Sequence, residues 1–149
     1  MPAVHAVVGF SVLALTLAAA LLGAWRWSRA ETSDGFWKLL RASQAALLVQ
    51  VTLGVVLLVL GHHPAKLHLL YGLVPVVVWF AAEQLRVGAA QAVLDSRDLE
   101  SAEEVGKLPE PEQRSIVLTI VRREMGVMIL AALVVLVLAV RAASVAGGL

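Results

Sequence analysis

Four long apolar stretches, joined by charged connections, constrain the fold of this chain more than any other feature. Pro2–Trp25 and Ala42–Gly61 contain no charged residue. Leu67–Ala82 is also charge-free and runs on through Glu83 to about Val87, while Met125–Val140 is flanked by Glu124 and Arg141. A helix needs about 20 residues to cross the hydrocarbon layer of a bilayer. The first two stretches reach that length outright. The last two reach it with Glu83 and Glu124 at the interface, where polar ends snorkel. The expected fold is therefore an all-α integral membrane protein, an up-down-up-down four-helix transmembrane bundle forming one domain over residues 1–149. Its spans are expected at about 3–27, 39–60, 65–87 and 122–142. A hydrophobic content of 60% and a mean hydropathy of +0.85 exclude an ordinary soluble domain.

The cations give an orientation. Arg26, Arg29, Lys38, Arg41, Arg86, Arg97, Lys107, Arg114, Arg122 and Arg123 fall on one side, and only Lys66 and Arg141 on the other. By the positive-inside rule the first side is cytoplasmic and both termini face outward. Trp25, Trp27 and Trp37 cluster at the same inner boundary, as an interfacial aromatic belt does. Met1–Ala24 lacks Lys and Arg, so the basic region of a cleavable signal is missing and the stretch reads as a span. Arginine, valine and alanine outweigh lysine and isoleucine, which points to a GC-rich bacterial genome and a multi-pass protein of the bacterial cell membrane.

The connections differ. Gly61-His62-His63 reads as a tight outer hairpin, with Pro64 at the start of the next helix. The segment from about 88 to 114 reads as a cytoplasmic helical hairpin between the third and fourth spans. Ser101-Ala-Glu-Glu104 has the form of a capping box, and Pro111 starts a long final helix.

With no cysteine, disulfides, thiolate metal sites and thiol redox chemistry are excluded. A net charge of +1 gives no reason to expect nucleic acid as a partner. The implied partners are the lipid bilayer and, beyond it, a second copy or a larger membrane complex. Phosphate-binding glycine loops, Gly-x-Ser-x-Gly and His-Glu-x-x-His are all absent from the sequence, so no hydrolase arrangement is visible.

All four histidines lie toward the outer end, and two are matched. His5 and His68 each follow a helix-starting proline (Pro2, Pro64) and each precede a glycine by four residues (Gly9, Gly72). In this topology the first and third helices are diagonal neighbours, with axes roughly 13 Å apart when adjacent helices are 8–10 Å apart. That spacing suits two inward imidazoles with one metal atom between them, and histidine is an axial ligand of haem iron. Residues four apart share a helix face, so Gly9 and Gly72 would lie beneath the ligands and leave room for a porphyrin. Gly54 is a further wall position, and Pro75 removes a backbone bond in the third helix. Lys66 and Arg141, the only outer cations, are placed to pair with haem propionates. Haem b is the expected cofactor, with His5 and His68 as metal ligands. A second metal reading adds His62 and His63 as ligands for copper or zinc. The structural reading is that these histidines are interfacial and the glycines are packing positions, in a cofactor-free scaffold or accessory subunit of a larger membrane complex.

Gln44, Gln50 and Thr52 in the second span read as hydrogen-bonding glue between helices. Glu83 and Glu124, with Arg86, Arg122 and Arg123 nearby, read as an ion-pair cluster fixing the third helix against the fourth.

Gln50-Val-Thr-Leu-Gly-Val-Val-Leu-Leu-Val-Leu-Gly61, followed after a short loop by His68-Leu-Leu-Tyr-Gly72, resembles the second and third helices of one four-helix half of haem A synthases. Each half in that family carries one histidine on its first helix and one on its third, near the outer face. Two features depart from the family. Pro2 and Ala6 stand where it has glutamate and arginine, and this chain has one half where the family has two. The resemblance implies haem binding, haem handling or outer-side electron transfer, more than haem A synthesis. Cytochrome b561-type bundles are similar in architecture but carry histidine pairs near both faces.

Overall fold

The computed structural model describes residues 2–146, and those residues form helices and turns only. Helix α1 spans Pro2–Ser28, α2 Asp34–Val59, α3 Lys66–Asp95, α4 Ala102–Val105 and α5 Glu110–Ala146. All but the four-residue α4 are long and apolar enough to cross a membrane. Large apolar side chains such as Phe10, Val59, Val77, Phe80 and Leu130 stay exposed on their outer faces, as lipid-facing positions do in a bilayer.

Residue pairings set the helix directions. His5 of α1 meets Gln50 of α2, Arg41 of α2 meets Glu83 of α3, and His68 of α3 meets Ala142 of α5. Each pair joins the early part of one helix to the late part of its neighbour or the reverse, so successive long helices alternate. Helix α1 packs against α2 and α5, α5 packs extensively against α3, and α2 and α3 touch only sparsely. Helices α1 and α3 thus hold opposite corners of a square, and one edge, between α2 and α3, is loose.

The tight edges are made by small residues. Ala19, Ala20 and Gly23 of α1 and Ala131 and Ala132 of α5 are buried, letting backbones approach and van der Waals contact accumulate. Phe36, Leu40, Met125, Met128 and Val135 fill the space between them. The two buried polar side chains, Thr16 and Ser43, satisfy each other at 2.6 Å, and Thr16 also donates to the Val12 carbonyl.

Helix ends differ from the sequence expectation for local reasons. Helix α2 starts at Asp34 rather than near residue 39 because Ser33 caps it, its hydroxyl accepting from the Phe36 amide at 3.2 Å. Helix α3 runs to Asp95, past 87, because nothing between Arg86 and Ser96 breaks it. Helix α5 starts at Glu110, as Pro111 leads one to expect, and runs unbroken through the expected span of 122–142, while the expected segment of 88–114 narrows to a connection over 96–109. Ser101 takes the N-cap position of α4 without a side-chain bond, and Glu104 accepts instead from the Glu100 amide at 2.8 Å. At 1.5 Å per residue, α3 and α5 are about 45 and 55 Å long, well beyond a 30 Å hydrocarbon layer. Their excess ends enclose a second small core of Val93, Leu94, Val105 and Ile116. At the opposite end Gly61 adopts φ +85, and the His62 amide closes on the Leu57 carbonyl, a glycine C-cap that turns the chain sharply.

Candidate functional site

His5 is the fourth residue of α1 and His68 the third of α3, so both enter the bundle at the same end from opposite corners. Their ring centroids are 6.1 Å apart, with planes inclined by 61°. Both residues are half-buried. The structure therefore brings together the two histidines that the sequence pairs.

Hydrogen bonds define the tautomer of each ring. Nδ1 of His68 lies 2.9 Å from the carbonyl oxygen of Ala142. A carbonyl only accepts, so the neutral ring carries its proton on Nδ1 and its lone pair on Nε2. Nε2 of His5 lies 3.1 Å from the amide nitrogen of Gln50. With the Gln50 amide in this orientation its nitrogen donates, Nε2 of His5 accepts, and the neutral ring has its proton on Nδ1. Nδ1 of His5 and Oε1 of Gln50 are buried without a partner among the described residues.

The glycines serve different ends. A β-carbon at Gly9 would lie 2.9 Å from the Gln50 amide nitrogen, so the bare patch below His5 holds Gln50 rather than open space. Around Gly72 nothing lies within 4 Å of such a carbon. Gly54 of α2 faces the His5 ring, whose Cε1 would be 3.4 Å away. Lys66 and Arg141 are exposed and form no ion pair among the described residues; the Arg141 guanidinium stacks over Tyr71 at 5.9 Å. Pro75 is buried inside α3, which continues through it. His62 and His63 are exposed in the turn. Among the described residues no group of three or more His, Cys, Asp or Glu could hold a metal ion, which removes the four-histidine copper or zinc arrangement.

The other end of the bundle carries a polar network. Glu83 accepts from Arg41, from Gln44 at 3.1 Å and from Arg86 at 3.0 Å, and Arg86 reaches Glu124 at 3.4 Å. The ion-pair cluster between α3 and α5 is thus present, but α2 joins it through Arg41, and Arg122 instead stacks on Trp27. Between α2 and α3, next to this network, lies a cleft of about 240 Å³ lined by Leu47, Leu48, Val76 and Phe80. Of the three residues read as interhelical glue, Gln44 and Gln50 do bridge helices. Thr52 does not: its hydroxyl donates to the Leu48 carbonyl of its own helix.

Comparison with protein-family models, with curated proteins and with solved structures finds no match to this chain.

Proposed function

We propose that this chain is a membrane haem-b-binding bundle of the cytochrome b type, in which His5 and His68 would hold the iron near the outer face. The carrying observation is the 6.1 Å between ring centroids. An imidazole nitrogen sits about 2.0–2.1 Å from a bound first-row metal and roughly 1.1 Å from its own ring centre, so two rings sharing one metal have centroids about 6.3 Å apart. The donor chemistry agrees. Both rings keep the lone pair on Nε2, and the Nδ1–H of His68 is anchored by the Ala142 carbonyl, the outer-shell bond that fixes ring orientation and raises ligand basicity. Gly54 faces the His5 ring, a β-carbon at Gly72 would meet open space, and contact between α2 and α3 is sparse.

His5 and His68 would hold the iron, Gly54 and Gly72 would line the macrocycle, and Lys66 and Arg141 would supply positive charge for its propionates. Haem so bound supplies one-electron transfer. The remaining histidines, His62 and His63, lie at the same end, so the chemistry belongs to that side of the membrane alone. By the positive-inside bias that side would face outward, in what the composition suggests is a bacterial cell membrane.

Purified protein titrated with hemin tests the reading. A Soret band is expected in the wild type, and His5→Ala and His68→Ala should each shift or abolish it. A wild type that stays colourless after expression with ample haem overturns the reading in favour of a cofactor-free scaffold or accessory subunit.

A further inference from the structure

The Gln50 amide occupies Nε2 of His5, one of the two ring nitrogens through which imidazole binds a metal. It reaches from α2 across the bare surface of Gly9 and donates to Nε2 of the ring at 3.1 Å. The same contact leaves two buried polar atoms, Gln50 Oε1 and His5 Nδ1, without a protein partner. His68 shows the contrast, since its bond to Ala142 engages Nδ1 and leaves Nε2 clear.

We infer that Gln50 is a placeholder for the ligand of the histidine pair: its amide N–H, seated over Gly9, covers the His5 Nε2 lone pair until a metal centre displaces it. The inference rests on the haem reading of the pair. Two consequences separate it from a packing role. Gln50 holds His5 in the Nδ1–H tautomer before any ligand arrives, and it competes with that ligand. A packing residue strengthens the site, whereas a placeholder weakens apparent affinity by the worth of its hydrogen bond. A net bond of about 0.5–1.5 kcal/mol corresponds to roughly 2- to 10-fold in affinity. Gly9 is part of the device. An added methyl there would push the flexible end of Gln50 away and free His5 without altering Gln50 itself.

The test uses full-length protein in detergent or nanodiscs, as wild type, Gln50→Leu and Gly9→Ala. Nitrogen-15 NMR of the ring nitrogens in haem-free protein should show the proton of His5 on Nδ1 in the wild type, with a hydrogen-bonded Nε2. In both variants the Nε2 resonance should move to the position of a free lone pair. Hemin titration should then show binding about 2- to 10-fold tighter for both variants. Equal or weaker hemin binding by Gln50→Leu and Gly9→Ala, or a wild-type His5 with its proton on Nε2, overturns the placeholder while leaving the haem reading standing. No Soret band in any of the three proteins overturns the haem reading and the placeholder with it.

Discussion

Gly23 sits where three helices converge. A β-carbon there would lie 2.6 Å from the Phe36 ring and 2.8 Å from Ile129, both of them buried and closely packed. Neither neighbour has a free end to swing away, so the contact is relieved only by moving α1 from α2 and α5. Gly23→Ala is expected to destabilise the protein by about 1–3 kcal/mol, the usual range for overpacking. Thermal unfolding in detergent measures it, and an unchanged midpoint would contradict the packing described. The histidine pair belongs to the same scale. Its partners were legible because a histidine shortly after a proline, with glycine four residues further on, recurs on two helices and puts both rings near one depth. Gln50 was legible only as a polar residue in lipid. Its role depends on the rotation of α2 about its axis, which sets the reach of one flexible side chain, and hydropathy does not encode that rotation. The filling of the space beside Gly9 was hidden for the same reason, since the Gln50 side chain from the neighbouring helix lies over it.

At the scale of the elements, the weak contact of α2 with α3 is the distinguishing feature. Apolar packing holds the other three edges of the square, whereas this edge is tied chiefly by the polar network around Glu83. Glu83 accepts from three side chains and is about three-quarters buried, while the Arg41 side chain is about half exposed. Removing Glu83 leaves several donors short of an acceptor, whereas removing Arg41 leaves Glu83 with Gln44 and Arg86. Glu83→Ala should therefore cost about 1–3 kcal/mol, and Arg41→Ala about 0–1 kcal/mol, as for exposed ion pairs. Paired unfolding curves decide it, and an equal or larger loss for Arg41→Ala would reverse the ranking of the two residues. The four long helices and their apolar centres were readable from charge-free runs of the right length. The start of α5 was readable from Pro111, whereas the end of α3 was not, because α3 continues as a more polar helix once the apolar run stops. Both ends are stabilised by the small core around Ile116 and Val93, whose contacts join residues far apart in sequence.

For the molecule as a whole, two ends of opposite character imply a fixed sense of insertion. One end carries the histidine pair with Lys66 and Arg141, and the other carries ten of the twelve cations with the projecting ends of α3 and α5. Moving the second end across the bilayer would drag those charges and a folded hairpin through hydrocarbon, against the positive-inside bias. The chain lacks cysteine, so a single introduced thiol reports position without background. His62→Cys lies in the exposed turn and Glu103→Cys in the exposed hairpin. In intact cells or right-side-out vesicles, a membrane-impermeant maleimide should label His62→Cys at once and Glu103→Cys only after permeabilisation. Labelling of Glu103→Cys in sealed vesicles would put the histidine pair on the cytoplasmic side. Electron donors and haem would then reach it from within, and the outer-side chemistry proposed for this bundle would have to be abandoned even if haem binds.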